Sequence, residues 1–133
     1  MALADPLVMI VDDDDELTTI LVDTLTARGY RTVVAENGKQ ALRRLGELDA
    51  EPPDLILLDL CMPEMDGWQL RHALAAQAGM AGVPIIVITG ATDQDATGLA
   101  VVDIIPKPLS LDQLLTVIRR HLLDAELARP RED

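Results

Sequence analysis

The run "DLILLDL" (residues 54–60) is apolar at nearly every position between its acids. A segment with no polar face has to be covered on both sides. "LVMIV" (7–11) and "PIIVIT" (84–89) share this character, and "RTVVAE" (31–36) and "VVDII" (101–105) complete a set of five short apolar runs. Runs of this kind read as central strands of a parallel sheet with helices on each face.

The intervening stretches carry helical spacing. Leu17, Ile20, Leu21 and Leu25 recur as one stripe, and Gly29 closes that segment. Asn37 is placed to cap the next helix, with Ala41, Leu42, Leu45 and Leu48 on one side. Asp66 is placed to cap a third, with Leu70, Ala73 and Leu74 facing inward. Segment 92–100, "TDQDATGLA", is short, polar and interrupted by Gly98, so the fourth helix is expected to be short or irregular. Ser110 and Gln113 form a capping-box pattern before a stripe of Leu111, Leu114, Leu115, Ile118 and Leu122. The order is β-α repeated five times. Right-handed crossovers convert it into an α/β fold, a doubly wound five-stranded parallel sheet. The core must be aliphatic, because the chain has no Phe, one Trp and one Tyr.

In such sheets ligands bind beyond the carboxyl ends of the strands. Asp12 and Asp13 follow the first run, Asp59 ends the third, Thr89 ends the fourth, and Lys107 follows the fifth. Three carboxylates gathered at one edge repel one another unless a cation compensates. All-oxygen ligands with room for water suit Mg²⁺, with Mn²⁺ as a substitute. The Lys107 ammonium and the Thr89 hydroxyl are groups that bind a phosphoryl oxygen. The residues point to an Mg²⁺-dependent phosphate-handling site and leave open which aspartate is attacked.

"VMIVDDDDEL", "DLILLDLCMPEMDGWQL", "IIVITG" and "IPKPLS", in that order, resemble the receiver domain of two-component response regulators over residues 7 to about 123. The resemblance implies the flavodoxin-like strand order 2-1-3-4-5. It implies that Asp59 accepts a phosphoryl group from the phosphohistidine of a sensor histidine kinase or phosphotransfer protein. It implies that Asp13 ligates Mg²⁺ directly, that Asp12 holds it through water, and that Asp59 and the backbone carbonyl of Cys61 complete the protein ligands. Thr89 and Lys107 would grip the phosphoryl group. Catalysis would extend only to the domain's own phosphorylation and dephosphorylation. Cys61 and Ala91 match family positions that tune those rates, and neither offers an amide or acid to orient water, so slow self-dephosphorylation is expected.

Two features depart from the family pattern. Ile104 stands three residues before Lys107, where Tyr or Phe is usual, and has no ring to rotate in response to phosphorylation. The Thr89–Lys107 spacing is short by about one helical turn, and the shortfall lies in segment 92–100. Both lead to the expectation that the signal leaves through a modified surface, toward a downstream protein or effector domain. A binding-only pseudo-receiver is the alternative function. A phosphatase of the haloacid dehalogenase type is a third, disfavoured because Cys61 replaces the second acid two residues after the nucleophile.

Plainer roles absorb the remaining residues. Asp14, Asp15 and Glu16 suit the start of a helix, where acids are favoured. His72 and His121 lack ligand spacing and are expected to face solvent. Met9, Met62, Met65 and Met80 fill apolar space. Residues 1–127 are expected to form the domain and 128–133 a tail or the start of a linker. With 23 acids against 11 bases, the net charge of −12 opposes direct contact with nucleic acid or anionic lipid. No stretch is long enough to span a bilayer, the single cysteine excludes an internal disulfide, and the amino-terminal stretch lacks the basic start of a signal peptide. A cytoplasmic protein without membrane contact is expected.

Overall fold

The computed structural model describes residues 5–47, 52–59, 83–89, 103–106 and 110–128. The elements run β1 (Leu7–Val11), α1 (Asp15–Ala27), β2 (Arg31–Ala35), α2 (Gly38–Glu47), β3 (Leu55–Asp59), β4 (Ile85–Thr89), β5 (Asp103–Pro106) and a C-terminal helix, α3 (Leu111–Ala128). The strands form one sheet in the order β2-β1-β3-β4-β5, and every neighbouring pair is parallel. Both the α/β class and the expected strand order therefore stand. The helices expected around Asp66 and over 92–100 lie outside the described residues, as do Leu48 and His72.

Alternation along the strands divides the core in two. Met9, Val11, Ile56, Leu58, Ile85 and Val87 point to one face, where Ala41 and Leu45 of α2 cover them. Val8, Ile10, Leu55, Leu57, Ile86 and Ile88 point to the other, where Leu21 and Leu25 of α1 and Leu114, Val117 and Ile118 of α3 pack. Every residue of β1 and β3 is buried, so the continuous apolar runs reflect cover on both faces.

Local chemistry sets the helix ends. The Asn37 side chain accepts the Gln40 amide at 2.8 Å and the Ser110 hydroxyl accepts the Gln113 amide at 3.3 Å, which places both expected caps. At the end of α1, Gly29 adopts φ +90°, its amide donates to Thr26 and the Tyr30 amide donates to Leu25. That pair of bonds is a Schellman closure, and Tyr30 packs against the core cluster that contains Leu25.

Two expectations need correction. Ile20 belongs to the expected inward stripe of α1, yet it is 47% exposed, while Thr18 is buried. At about 100° per residue, Thr18, Leu21 and Leu25 share one face and Ile20 lies well round from it. Thr18 tolerates burial because its hydroxyl donates to the Asp15 carbonyl at 3.1 Å. His121 is half-buried rather than solvent-facing. The described part of the last strand, Asp103–Pro106, includes Pro106, which an edge strand accommodates, and the first two residues of the expected run, 101 and 102, lie outside the described residues.

Candidate functional site

Parallel pairing brings the carboxyl ends of all five strands to one edge. Val11 is in register with Ala35 of β2 and with Leu58 of β3. The Asp12 amide donates to the Ala35 carbonyl at 3.0 Å, which carries the β1–β2 ladder one residue past the strand. Asp12 and Asp59 therefore leave adjacent strands at the same level. Asp59 is paired in register with Ile88 of β4, next to Thr89.

One carboxylate oxygen from each of Asp12, Asp13 and Asp59 lies within 4.8 Å of the others. Asp12 and Asp59 are buried, at 3% and 5% exposure, and Asp13 is exposed. Oxygens in an octahedral Mg²⁺ shell stand about 3–4 Å apart, so a small inward movement would let these three share one ion. The donor set is all oxygen, with two carboxylates buried in the fold and one facing water. It fits a hard cation that keeps part of its hydration shell.

The remaining acids of the run are directed elsewhere. Asp14 is the N-cap of α1, and its side chain accepts the Leu17 amide at 3.1 Å. Asp15 and Glu16 occupy the first turn, where their charge meets the positive end of the helix. The run thus splits between a cation-type cluster and a helix start, as its register predicts. One oxygen of Asp12 also accepts the Asp14 amide at 3.0 Å, a link that side-chain identity alone does not announce.

Thr89 ends β4 in register with Pro106 of β5. Lys107 follows Pro106 in sequence, and both Lys107 and Cys61 lie outside the described residues. Three of the expected site residues are thus brought together as side chains. Thr89 is placed at the same edge by its backbone.

A second acid at the opposite edge has a different task. Asp54 accepts the Leu7 amide on its carboxylate at 2.8 Å, and its own amide donates to the Leu7 carbonyl at 2.7 Å. It fastens the start of β3 to the start of β1. In the sequence Asp54 reads only as the first residue of the apolar run 54–60.

Comparison with known proteins agrees with this architecture. The chain matches the response regulator receiver domain family over residues 8–119. It is 33% identical over 132 residues to the transcriptional regulatory protein KdpE of Mycobacterium tuberculosis, an alignment that covers 93% of this chain and 56% of that protein. It is 35% identical to the DNA-binding response regulator MtrA of Mycolicibacterium smegmatis, over 86% of this chain and 50% of that protein. The chain therefore spans about half the length of the curated relatives it matches. Among solved structures, it is 30% identical, with a TM-score of 0.81, to the signal receiver domain of a signal transduction histidine kinase from Syntrophus aciditrophicus, covering 96% of both chains. The receiver domain of an HD domain-containing protein from Pseudomonas fluorescens gives a TM-score of 0.85 at 23% identity over 99% of this chain, a likeness of fold. The match over most of the chain, the strand order and the acidic cluster lead to one conclusion: this chain belongs to the receiver-domain family of two-component response regulators.

Proposed function

We propose that this receiver domain takes a phosphoryl group on Asp59, with Mg²⁺ held by Asp12, Asp13 and Asp59 and by the Cys61 carbonyl. The observation that carries the reading is the convergence of three carboxylates from two adjacent strand ends. A bound Mg²⁺ would neutralise the charge that builds up on the transferring phosphoryl oxygens. Asp59 supplies the nucleophilic oxygen. As its bond to phosphorus forms, the phosphorus–nitrogen bond of the donor phosphohistidine breaks, and the electron pair returns to the imidazole nitrogen, which takes up a proton. Thr89 and Lys107 are the proposed contacts to the phosphoryl oxygens, one as a hydroxyl donor and one as a cation. The transferred group remains on Asp59 until water removes it, so the chemistry is confined to the domain itself.

The proposed donor is a sensor histidine kinase or a phosphotransfer protein. The proposed receiver of the signal is a downstream protein or an attached domain. Two relatives are named as a transcriptional regulator and a DNA-binding response regulator. The proposed absence of nucleic-acid contact therefore concerns only this acidic unit and does not extend to a longer protein. Among the described residues no helix is long and apolar enough to cross a membrane. A cytoplasmic location is proposed to accompany the kinase partner.

The test is incubation with acetyl phosphate and Mg²⁺, followed by intact-mass and peptide mapping. The expected result is one phosphoryl group on Asp59, absent when Mg²⁺ is chelated and absent in Asp59→Asn. Modification elsewhere, or none under conditions where the protein is folded, would overturn the assignment.

A further inference from the structure

Asp14 belongs to neither half of the acidic run alone. Its backbone amide donates to Asp12 Oδ1 at 3.0 Å, and its side chain accepts the Leu17 amide at 3.1 Å. Its carbonyl accepts the Thr18 amide at 2.9 Å, the first full helical bond of α1. Its backbone is extended, at φ −87° and ψ 101°, as an N-cap requires. One residue therefore faces the buried Asp12 carboxylate with its amide and holds the first turn of α1 with its carboxylate.

We propose that Asp14 is a positioning residue for the cation site, acting through Asp12. The cap fixes the plane of the Asp13–Asp14 turn. That turn aims the Asp14 amide at Asp12 Oδ1, and the amide helps hold the Asp12 carboxylate in the orientation that meets Asp13 and Asp59. Without the side-chain cap the first turn frays, the amide swings away, and Asp12 samples orientations that do not meet Asp13 and Asp59. A ligand that selects the ordered arrangement then binds more weakly by the fraction of time that arrangement is lost. The inference rests on the Mg²⁺ reading proposed above.

Two substitutions separate positioning from charge. Asp14→Asn removes the charge and keeps an N-cap acceptor, and Asp14→Ala removes both. The change in charge is the same, so any difference between them reports the cap. The measurement is the dissociation constant for Mg²⁺, and for Mn²⁺ as a second probe, by calorimetric titration of the folded full chain in the absence of any phosphoryl donor. Thermal unfolding in EDTA is measured in parallel. The expected result is that Asp14→Ala binds Mg²⁺ about threefold or more weakly than Asp14→Asn, as capping energies of this size imply. Asp14→Ser, which restores a cap of different shape, should return to the Asp14→Asn value. A cap that served the helix alone would lower the unfolding temperature of Asp14→Ala and leave its Mg²⁺ constant equal to that of Asp14→Asn. That outcome would overturn the positioning role while leaving the cation site intact. A wild-type chain that bound neither ion would overturn the cation reading, and the positioning role with it.

Discussion

Asp59 and Asp12 are both buried, and oxygens of the two lie within 4.8 Å of each other. Replacing Asp59 by Asn keeps the shape and removes one charge. Two unit charges at 4.8 Å repel by about 3.5 kcal/mol at an effective dielectric of about 20. Asp59 also makes other interactions in the fold, so part of that relief is offset by bonds the amide makes less well. The expected net effect is a metal-free Asp59→Asn protein about 1–2 kcal/mol more stable than wild type. For a chain of this size that raises the unfolding temperature by roughly 3–7 °C. Mg²⁺ should act in the opposite sense on the difference. At ten times its dissociation constant it adds about 1.4 kcal/mol to wild type, and far less to the variant, so the gap in EDTA narrows or closes. Differential scanning calorimetry with EDTA and then with Mg²⁺ measures both terms. A variant less stable than wild type in EDTA, with an equal Mg²⁺ response, would refute the reasoning: the carboxylate would then be held by fold contacts and not poised for a cation.

Further expectations concern single residues. Asp13→Ala should abolish Mg²⁺-dependent phosphorylation by acetyl phosphate, while Asp15→Ala, in the first turn of α1, should leave it nearly unchanged; equal effects would mean the register of the acidic run is misassigned. Asp54→Ala should lower stability by about 1–3 kcal/mol in urea unfolding, because the Leu7 amide loses its acceptor, and Asp54→Asn should recover most of that. Gly29→Ala should cost roughly 1 kcal/mol through its positive φ alone, since a Cβ there meets nothing within 4 Å. The phosphorylated protein should persist for minutes or longer with Mg²⁺ and no phosphatase, as Cys61 and Ala91 lead one to expect, and a lifetime of seconds would count against their proposed role.

The strands were legible because burial on both faces leaves an unambiguous mark: a run such as "LILLD" has no polar side to misplace. The acidic run was legible because its members differ in position by whole structural steps, from strand end to loop to cap to first turn. The phase of α1 was not fully legible. Ile20 and Thr18 differ in polarity in the direction opposite to their burial, and the local bond from Thr18 to Asp15 removes the penalty that polarity would predict. Asp54 was missed for a related reason. Its partner, Leu7, is 47 residues away, and the bond is to a backbone amide that no side-chain pattern encodes. The link between Asp12 and Asp14 was hidden in the same way, since its donor is main chain.

Asp59 stands at the end of β3, whose residues contribute alternately to the two separate cores and are buried throughout. Interiors packed at that density resist small displacements. Asp59, the proposed acceptor, is therefore a fixed post: phosphorylation there would change what is drawn toward the sheet edge and leave its own strand where it was. In hydrogen exchange, the β3 amides should be among the slowest in the molecule and should keep their rates when Asp59 is modified. Whatever motion reports the phosphoryl group must then be carried by segments that come to this post.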